Sequence, residues 1–402
     1  MNRITTMMDE ISTFVAISNA ALLLLSGSFD NHLWRIILLV VQYHVAGSRS
    51  STLAEWALYA IAAIGVWWMP HYANLKFRAK KGCVFVTGCD SGMGKATVIA
   101  LAKAQTADNK YDQIFAGCFD PKNTLAAYKE ELTEDEMKSV TLVPLDATDN
   151  DSVAKAAGVV EDWIKKNNSE AGLTGLVQFH GVAIMGPSAY LPIEMYTRQL
   201  DVNFVGTLRV VQSLLPLLKK GAKSTSGYDG RIVLTGTGGG ACSPCPPLLT
   251  AYMASKFALE SYAQCLKQEL FMTGANMNVS VINPGFIKPT MLIEEGTRIA
   301  NKMWDACEAK LGTSVAKDEY GGMFEHFTKE SALQPGTHVS EIVKAAEHAL
   351  LAPVSRSSYK VGIDSKMAPI VGMLPTGPRE LISRHGLYGK LSLAGTVPGY
   401  KV

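Results

Sequence analysis

The chain has no basic stripe and no long block of like charge. Lys and Arg number 38 against 36 Asp and Glu, a formal net charge of +2 over 402 residues, so the charge pattern serves neither a nucleic acid nor a polyacidic partner. Metal and redox signals are equally sparse. The seven cysteines are odd in number and scattered. Cys83, Cys89 and Cys118 fall in or beside apolar strand-like runs, where small buried thiols of a reducing compartment are expected. Only Cys242 and Cys245 form a CxxC pair, with no second pair or nearby histidine and with Pro246-Pro247 directly behind. A loop is expected there, and no metal site. Internal repeats are absent. So is the basic opening of a cleaved secretory signal: Asp9 and Glu10 occupy that place, and they argue equally against a mitochondrial presequence.

What the first 80 residues do have is apolar length. Leu53 to Met69 carries one early charge, Glu55, and tryptophans at its ends, the composition of a membrane span with its rings at headgroup level. Ile36 to Val41 is strongly apolar but short for ~30 Å of hydrocarbon. Phe14 to Gly27 includes four consecutive leucines beside Ser18 and Asn19, and reads as a span, an interfacial helix or a signal-like segment. The number of crossings stays open. A basic linker follows, with Lys76, Arg78, Lys80 and Lys81, and by the positive-inside tendency it places the rest of the chain in the cytosol.

From Lys81 the pattern changes to short β-like runs alternating with helical ones. Strands are expected at 84–87, 114–119, 140–145, 176–179, 231–235 and 279–282, with a seventh at 359–362. Amphipathic segments of helical length separate them. The expected fold class is therefore α/β, a doubly wound parallel sheet preceded by N-terminal hydrophobic membrane helices. Its organisation divides into a membrane-associated region (1–80), a dinucleotide-binding domain (81–376) with a lid around 291–330, and a tail (377–402).

Two motifs carry the chemistry. Thr87-Gly88-Cys89-Asp90-Ser91-Gly92-Met93-Gly94 follows the first strand and opens a helix, so its glycines let backbone and helix N-terminus approach a pyrophosphate. Asp146, at the rim of strand three, is placed near an adenine, unless it merely caps the next helix. Asp120, at the end of strand two, accepts hydrogen bonds from an adenosine ribose and repels a 2′-phosphate, which favours NAD over NADP; Lys122 pulls the other way. The second motif is Tyr252-Met-Ala-Ser-Lys256, which sets a phenol and an ammonium on one helical face. A free phenol ionises near pH ~10, and a neighbouring ammonium stabilises its anion. Thr237, after strand five, offers a hydroxyl to orient the reacting oxygen, and Asn203 a hold for a water in the proton path.

These segments, with Leu200-Asp-Val-Asn-Phe-Val-Gly206 and Asn283-Pro284-Gly285, resemble the classical short-chain dehydrogenase/reductase family from about Lys81 to Thr376. Within it, TGCDSG and the tail from Ser358 to Thr376 look similar to membrane-associated retinol and hydroxysteroid dehydrogenases and to D-β-hydroxybutyrate dehydrogenase. The resemblance implies a Rossmann domain in which Tyr252, Lys256, Thr237 and Asn203 are catalytic. Thr87, Gly88, Ser91, Gly92, Met93, Gly94, Asp120, Asp146, Lys256, Pro284 and Gly285 would hold the dinucleotide. NAD is the expected cofactor, with NADP the alternative. The expected partners are a lipophilic small-molecule substrate and a membrane, that of the endoplasmic reticulum, with homo-oligomerisation left open.

The chain departs from the family at three places. Gln178-Phe-His180-Gly181 replaces an Asn-Asn-Ala-Gly turn, Thr237 replaces a serine, and Pro289 takes a threonine's position with Thr290 one residue late. His180 is expected to be packed or solvent-facing. The apolar spacing from Met291 to Phe327 suits a lid over a lipid alcohol. Two other readings remain: a dehydrogenase of a small hydroxy acid such as 3-hydroxybutyrate, and a non-catalytic dinucleotide-binding membrane protein.

Overall fold

A computed structural model describes residues 82–104, 111–224, 230–240, 244–275, 277–290, 296–311, 336–352 and 355–382. The chain divides into two units, Met1–Leu75 and Lys76–Val402. All three apolar stretches, the basic linker, Cys242 and the lid residues Met291, Tyr320 and Phe327 lie outside the described residues. Among the described residues no helix is long and apolar enough to cross a membrane.

Seven strands form one parallel sheet in the order β3-β2-β1-β4-β5-β6-β9. They are β1 (Cys83–Thr87), β2 (Gln113–Cys118), β3 (Val140–Pro144), β4 (Leu173–Gln178), β5 (Gly230–Thr235), β6 (Met277–Pro284) and β9 (Ser358–Val361). All seven expected strands are present. The boundaries move most at β4, which starts at Leu173 instead of Leu176. Its Gly175 reads as a turn residue in sequence, yet it lies in mid-strand because a side chain there would meet Leu350 at 2.9 Å. The two-residue strands β7 (Ile287–Lys288) and β8 (Thr337–His338) pair separately and carry no periodic signal.

Eleven α-helices are described: α1 (Gly92–Lys103), α2 (Pro121–Glu131), α3 (Glu134–Met137), α4 (Asn150–Lys166), α5 (Ile193–Leu200), α6 (Gly206–Ser224), α7 (Thr250–Met272), α8 (Gly296–Leu311), α9 (Ser340–Leu351), α10 (Ile363–Gly372) and α11 (Thr376–Leu381). Alternation along β1 sends Val84 and Val86 to one face, with Val98 and Leu101 of α1 and Ile342 and Leu350 of α9. Cys83 and Phe85 go to the other face, with side chains of α4, α6 and α7. Because both faces are covered, strands such as β1, β2 and β5 are buried along their whole length and read as apolar runs without alternation. Each fully buried Val, Leu, Ile or Phe contributes about 1.5–3 kcal/mol. Among the buried polar side chains, Arg231 of β5 donates to the carbonyl of Ala352 at 2.9 Å, at the carboxyl end of α9.

Strand order reverses between β1 and β4. At that switch point the carboxyl ends of neighbouring strands lead to helices on opposite faces, which leaves a crevice above the sheet.

Candidate active site

A cavity of about 760 Å³ fills this crevice, lined by Gly88, Asp90, Gly117, Asp146 and His180 from the ends of β1 to β4 and by Asp201 from the far wall. Its floor is the glycine-rich turn. Gly88 has φ +68°, and a side chain on it would lie 2.6 Å from the backbone nitrogen of His180. At Gly94 a side chain would lie 2.2 Å from the carbonyl oxygen of Gly88, so α1 starts as close to β1 as backbone permits. Gly92 faces open space, its nearest neighbour being Thr290 at 3.8 Å. Ser91 is exposed at the N-cap without a capping bond, and the first turn of α1 has no acidic residue. Bare amides, a positive dipole end and no competing carboxylate in that turn fit a pyrophosphate. Met93, behind it, packs against the core.

The acidic residues divide their tasks. Asp149 caps α4 by accepting from the backbone of Asp151 at 3.0 Å, which leaves Asp146 to line the cavity while it accepts from the backbone nitrogen of Thr148 at 2.8 Å. Asp120 instead caps α2, its carboxylate accepting from the backbone nitrogen of Asn123 at 3.2 Å and from that residue's side-chain amide. The carboxylate in the cavity wall beside β2 belongs to Asp90, which the sequence reading left without a role. The only sequence signal was an acidic residue within the glycine turn itself.

α7 presents Tyr252 and Lys256 one turn apart, as their spacing requires; neither lines the cavity, but the Lys256 charge acts on His180 in its wall. Lys256 Nζ donates to the carbonyl of Thr235 at 2.8 Å and lies 5.8 Å from the centre of the Tyr252 ring. Burial lowers the Lys256 pKa to about 8. The Tyr252 phenol is raised by burial, and a hydrogen bond with the Thr237 hydroxyl opposes that rise. Thr237 is held in turn by its backbone nitrogen, which donates to Asn283 Oδ1 at 3.2 Å. The Thr237 hydroxyl donates to Met253 Sδ at 4.0 Å.

Asn203 sits in a π-helical turn, Asp201–Val205, between α5 and α6. Its side chain is spent on protein contacts: it accepts from Val182 N at 2.8 Å and donates to Val182 O at 3.0 Å and to Ser255 Oγ at 3.1 Å. Asn203 therefore ties the loop after β4 to the helix carrying Tyr252. Pro284 ends β6. Gly285 follows it because the Asp364 carboxylate crosses there, 1.9 Å from where a side chain would begin, and accepts from Phe286 N at 2.7 Å.

His180 is half-buried and lines the cavity. Its Nδ1 pairs with the Thr87 hydroxyl at 2.7 Å, and burial, then the charge of Lys256, push its pKa down to about 4. The imidazole is therefore neutral at physiological pH. A folded pKa below the ordinary value means that its contribution to stability is complete above about pH 6.5 and is lost as pH falls through about 4. Between pH 7 and 4.5 the protein is expected to lose on the order of 2 kcal/mol more stability than His180→Gln. Denaturant unfolding of both at the two pH values measures this; equal losses would contradict it.

Ile184, Leu191, Ala251 and Cys307 form a small buried apolar cluster with Met195 and Tyr196 packed on it, Cys307 coming from α8 of the expected lid. Arg298 and Lys302 of the same helix are exposed.

A doubly wound sheet, a glycine turn opening a helix at its switch point and a tyrosine–lysine pair one turn apart on α7 are the features of a nicotinamide-dependent oxidoreductase. Residues 82–299 match the sequence model of the family described as short chain dehydrogenase. Human retinol dehydrogenase 16 is 30% identical over 326 residues, covering 77% of this chain and 90% of its own. Human retinol dehydrogenase 5 is 30% identical, covering 72% and 83%, and the 3beta-hydroxysteroid dehydrogenase dhs-16 of Caenorhabditis elegans is 29% identical, covering 76% and 74%. The chain belongs to the short-chain dehydrogenase family and is an NAD(P)-dependent enzyme of the alcohol dehydrogenase and ketone reductase type. The solved structure of a short chain dehydrogenase from Burkholderia cenocepacia in complex with NADP shares the fold, with 19% identity, a TM-score of 0.52, and coverage of 76% of this chain and 98% of its own.

Proposed function

We propose that this chain is a membrane-anchored, NAD-preferring oxidoreductase that interconverts a lipophilic alcohol, a retinoid, steroid or similar lipid, and its carbonyl form, with the catalytic domain on the cytosolic side of the endoplasmic reticulum. The observation that carries the reading is the Tyr252–Lys256 pair on one face of α7, with Lys256 fixed on the Thr235 carbonyl at 2.8 Å, at the same carboxyl edge of the sheet as the glycine turn. Relatives named for retinol and 3beta-hydroxysteroid oxidation point to the same substrate class. The apolar stretches of the first 80 residues would supply the anchor and bring the enzyme to where such substrates dissolve.

Gly88, Ser91, Gly92 and Gly94 would receive the pyrophosphate, and Asp146 would lie at the adenine end. Bound nicotinamide supplies the hydride acceptor in oxidation and the donor in reduction. Thr237 orients the substrate oxygen, and Tyr252 takes its proton in oxidation or returns one in reduction. The Lys256 charge favours the tyrosinate once α7 and β5 hold it in place. Asn203 keeps the loop after β4 fixed against α7, so that the proton path and the pocket wall move together.

The test is a panel of retinoid, steroid and short hydroxy-acid substrates, each with NAD and NADP, on the full chain in detergent. Turnover of a lipid alcohol with NAD, at least about tenfold above any hydroxy acid in kcat/KM, is expected. Preference for a short hydroxy acid would overturn the substrate class. NADH binding without turnover of any alcohol would favour the non-catalytic reading.

A further inference from the structure

The amino end of α2 is built as an anion site. Phe119 and Asp120 present consecutive backbone N–H groups, and both donate to one carboxylate: Phe119 N to Asp90 Oδ2 at 2.9 Å and Asp120 N to Asp90 Oδ1 at 2.9 Å, while the Thr124 hydroxyl, 3.2 Å from Asp90 Oδ1, donates to the Asp120 carbonyl at 2.7 Å. Successive amides at a helix N-terminus form a nest that favours negative charge. Asp90 reaches it from the glycine-rich turn, 29 residues earlier, and lines the same cavity as Gly88 and Asp146. Asp120 does not compete, being bonded to Asn123.

We propose that Asp90 occupies, from within the chain, the nest that would otherwise receive a 2′-phosphate, and so sets the preference for NAD(H) over NADP(H). The proposal rests on the reading of the cavity as an NAD site. A dinucleotide lying along β1 with its pyrophosphate at α1 carries its adenosine ribose toward the end of β2, where this nest lies. A ribose hydroxyl can still donate to the carboxylate. A 2′-phosphate meets like charge and finds the donors already taken, so discrimination arises from repulsion and from lost hydrogen bonds together. Asp90 also fastens the glycine turn to the β2–α2 turn, which makes preference and local order one device. With the carboxylate removed, the two amides and the exposed Lys122 are left to a phosphate.

Binding, read apart from turnover, tests this. NADH and NADPH are titrated onto the full chain by nucleotide fluorescence, in wild type, Asp90→Ser, the isosteric Asp90→Asn, and Asp120→Asn. Wild type is expected to bind NADH at least about tenfold more tightly than NADPH, and Asp90→Ser to narrow or invert that ratio by about tenfold or more. Asp90→Asn should shift it in the same direction, and Asp120→Asn less than either. An unchanged ratio in Asp90 variants that keep NADH affinity, or a larger shift in Asp120→Asn, would overturn the proposal. If both Asp90 variants lose NADH binding, wild type decides: ADP should displace NADH better than adenosine 2′,5′-bisphosphate, and the reverse order overturns the proposal. Absent alcohol turnover with intact NADH preference would sink the lipid-alcohol reading alone. Equal grip on both nucleotides with turnover intact would sink the Asp90 assignment alone.

Discussion

Tyr252→Phe should lower kcat by about 10²–10⁴-fold while NADH affinity and melting temperature stay close to wild type. The substitution removes one oxygen and keeps the ring. The ring lies 5.8 Å from Lys256 Nζ, and phenylalanine keeps that neighbour. Removing the hydroxyl leaves the glycine turn before α1 untouched, so the loss should fall on the chemical step. Steady-state kinetics with the preferred alcohol, together with NADH titration, separates the two. Turnover within a few-fold of wild type would remove Tyr252 from the proton transfer and with it the proposed mechanism.

The second large effect is expected at Gly94. Alanine there would set its methyl 2.2 Å from the carbonyl oxygen of Gly88, 2.7 Å from its carbonyl carbon and 3.0 Å from the carbonyl oxygen of Thr87. All three are backbone atoms that no rotamer change can move aside, so α1 must retreat from β1. Gly94→Val should cost at least about 1–3 kcal/mol in denaturant unfolding and weaken dinucleotide binding by more than about tenfold, since the same retreat opens the cradle. Gly158→Ala supplies the contrast. That glycine lies within α4 with nothing within 4 Å of the added carbon, and alanine there should stabilise by about 0.5–1 kcal/mol. Equal stability of Gly94→Val and wild type would show that the α1–β1 approach is not needed for folding.

The fold was largely legible in the sequence because a parallel sheet covered on both faces demands continuous apolar runs, and each run was found within a few residues. The exceptions have particular causes. Gly175 concealed the first half of β4, since glycine there answers to the close approach of Leu350 and a single sequence shows only a turn-former. The pair β7 and β8 was invisible because two residues carry no period. At the site, the glycine turn and the tyrosine–lysine spacing were readable at once. The bonds from the Phe119 and Asp120 amides to Asp90 were not, because they join two segments 29 and 30 residues apart that no local spacing links.

The local geometry was set by the sequence itself: helical spacing alone brings Tyr252 and Lys256 to one face, and glycines alone permit the turn before α1. Everything that depends on two distant segments meeting was decided by the tertiary structure. The register of β1 against β2 brings Asp90 to the amides at the end of β2. The pairing of β5 with β6 places Thr237 on Asn283 and toward the phenol on α7. Packing of the loop after β4 against α7 gives Asn203 its partners. Such contacts follow from how buried strands pack across the sheet, and residues 21 to 52 positions apart carry no local propensity that specifies them.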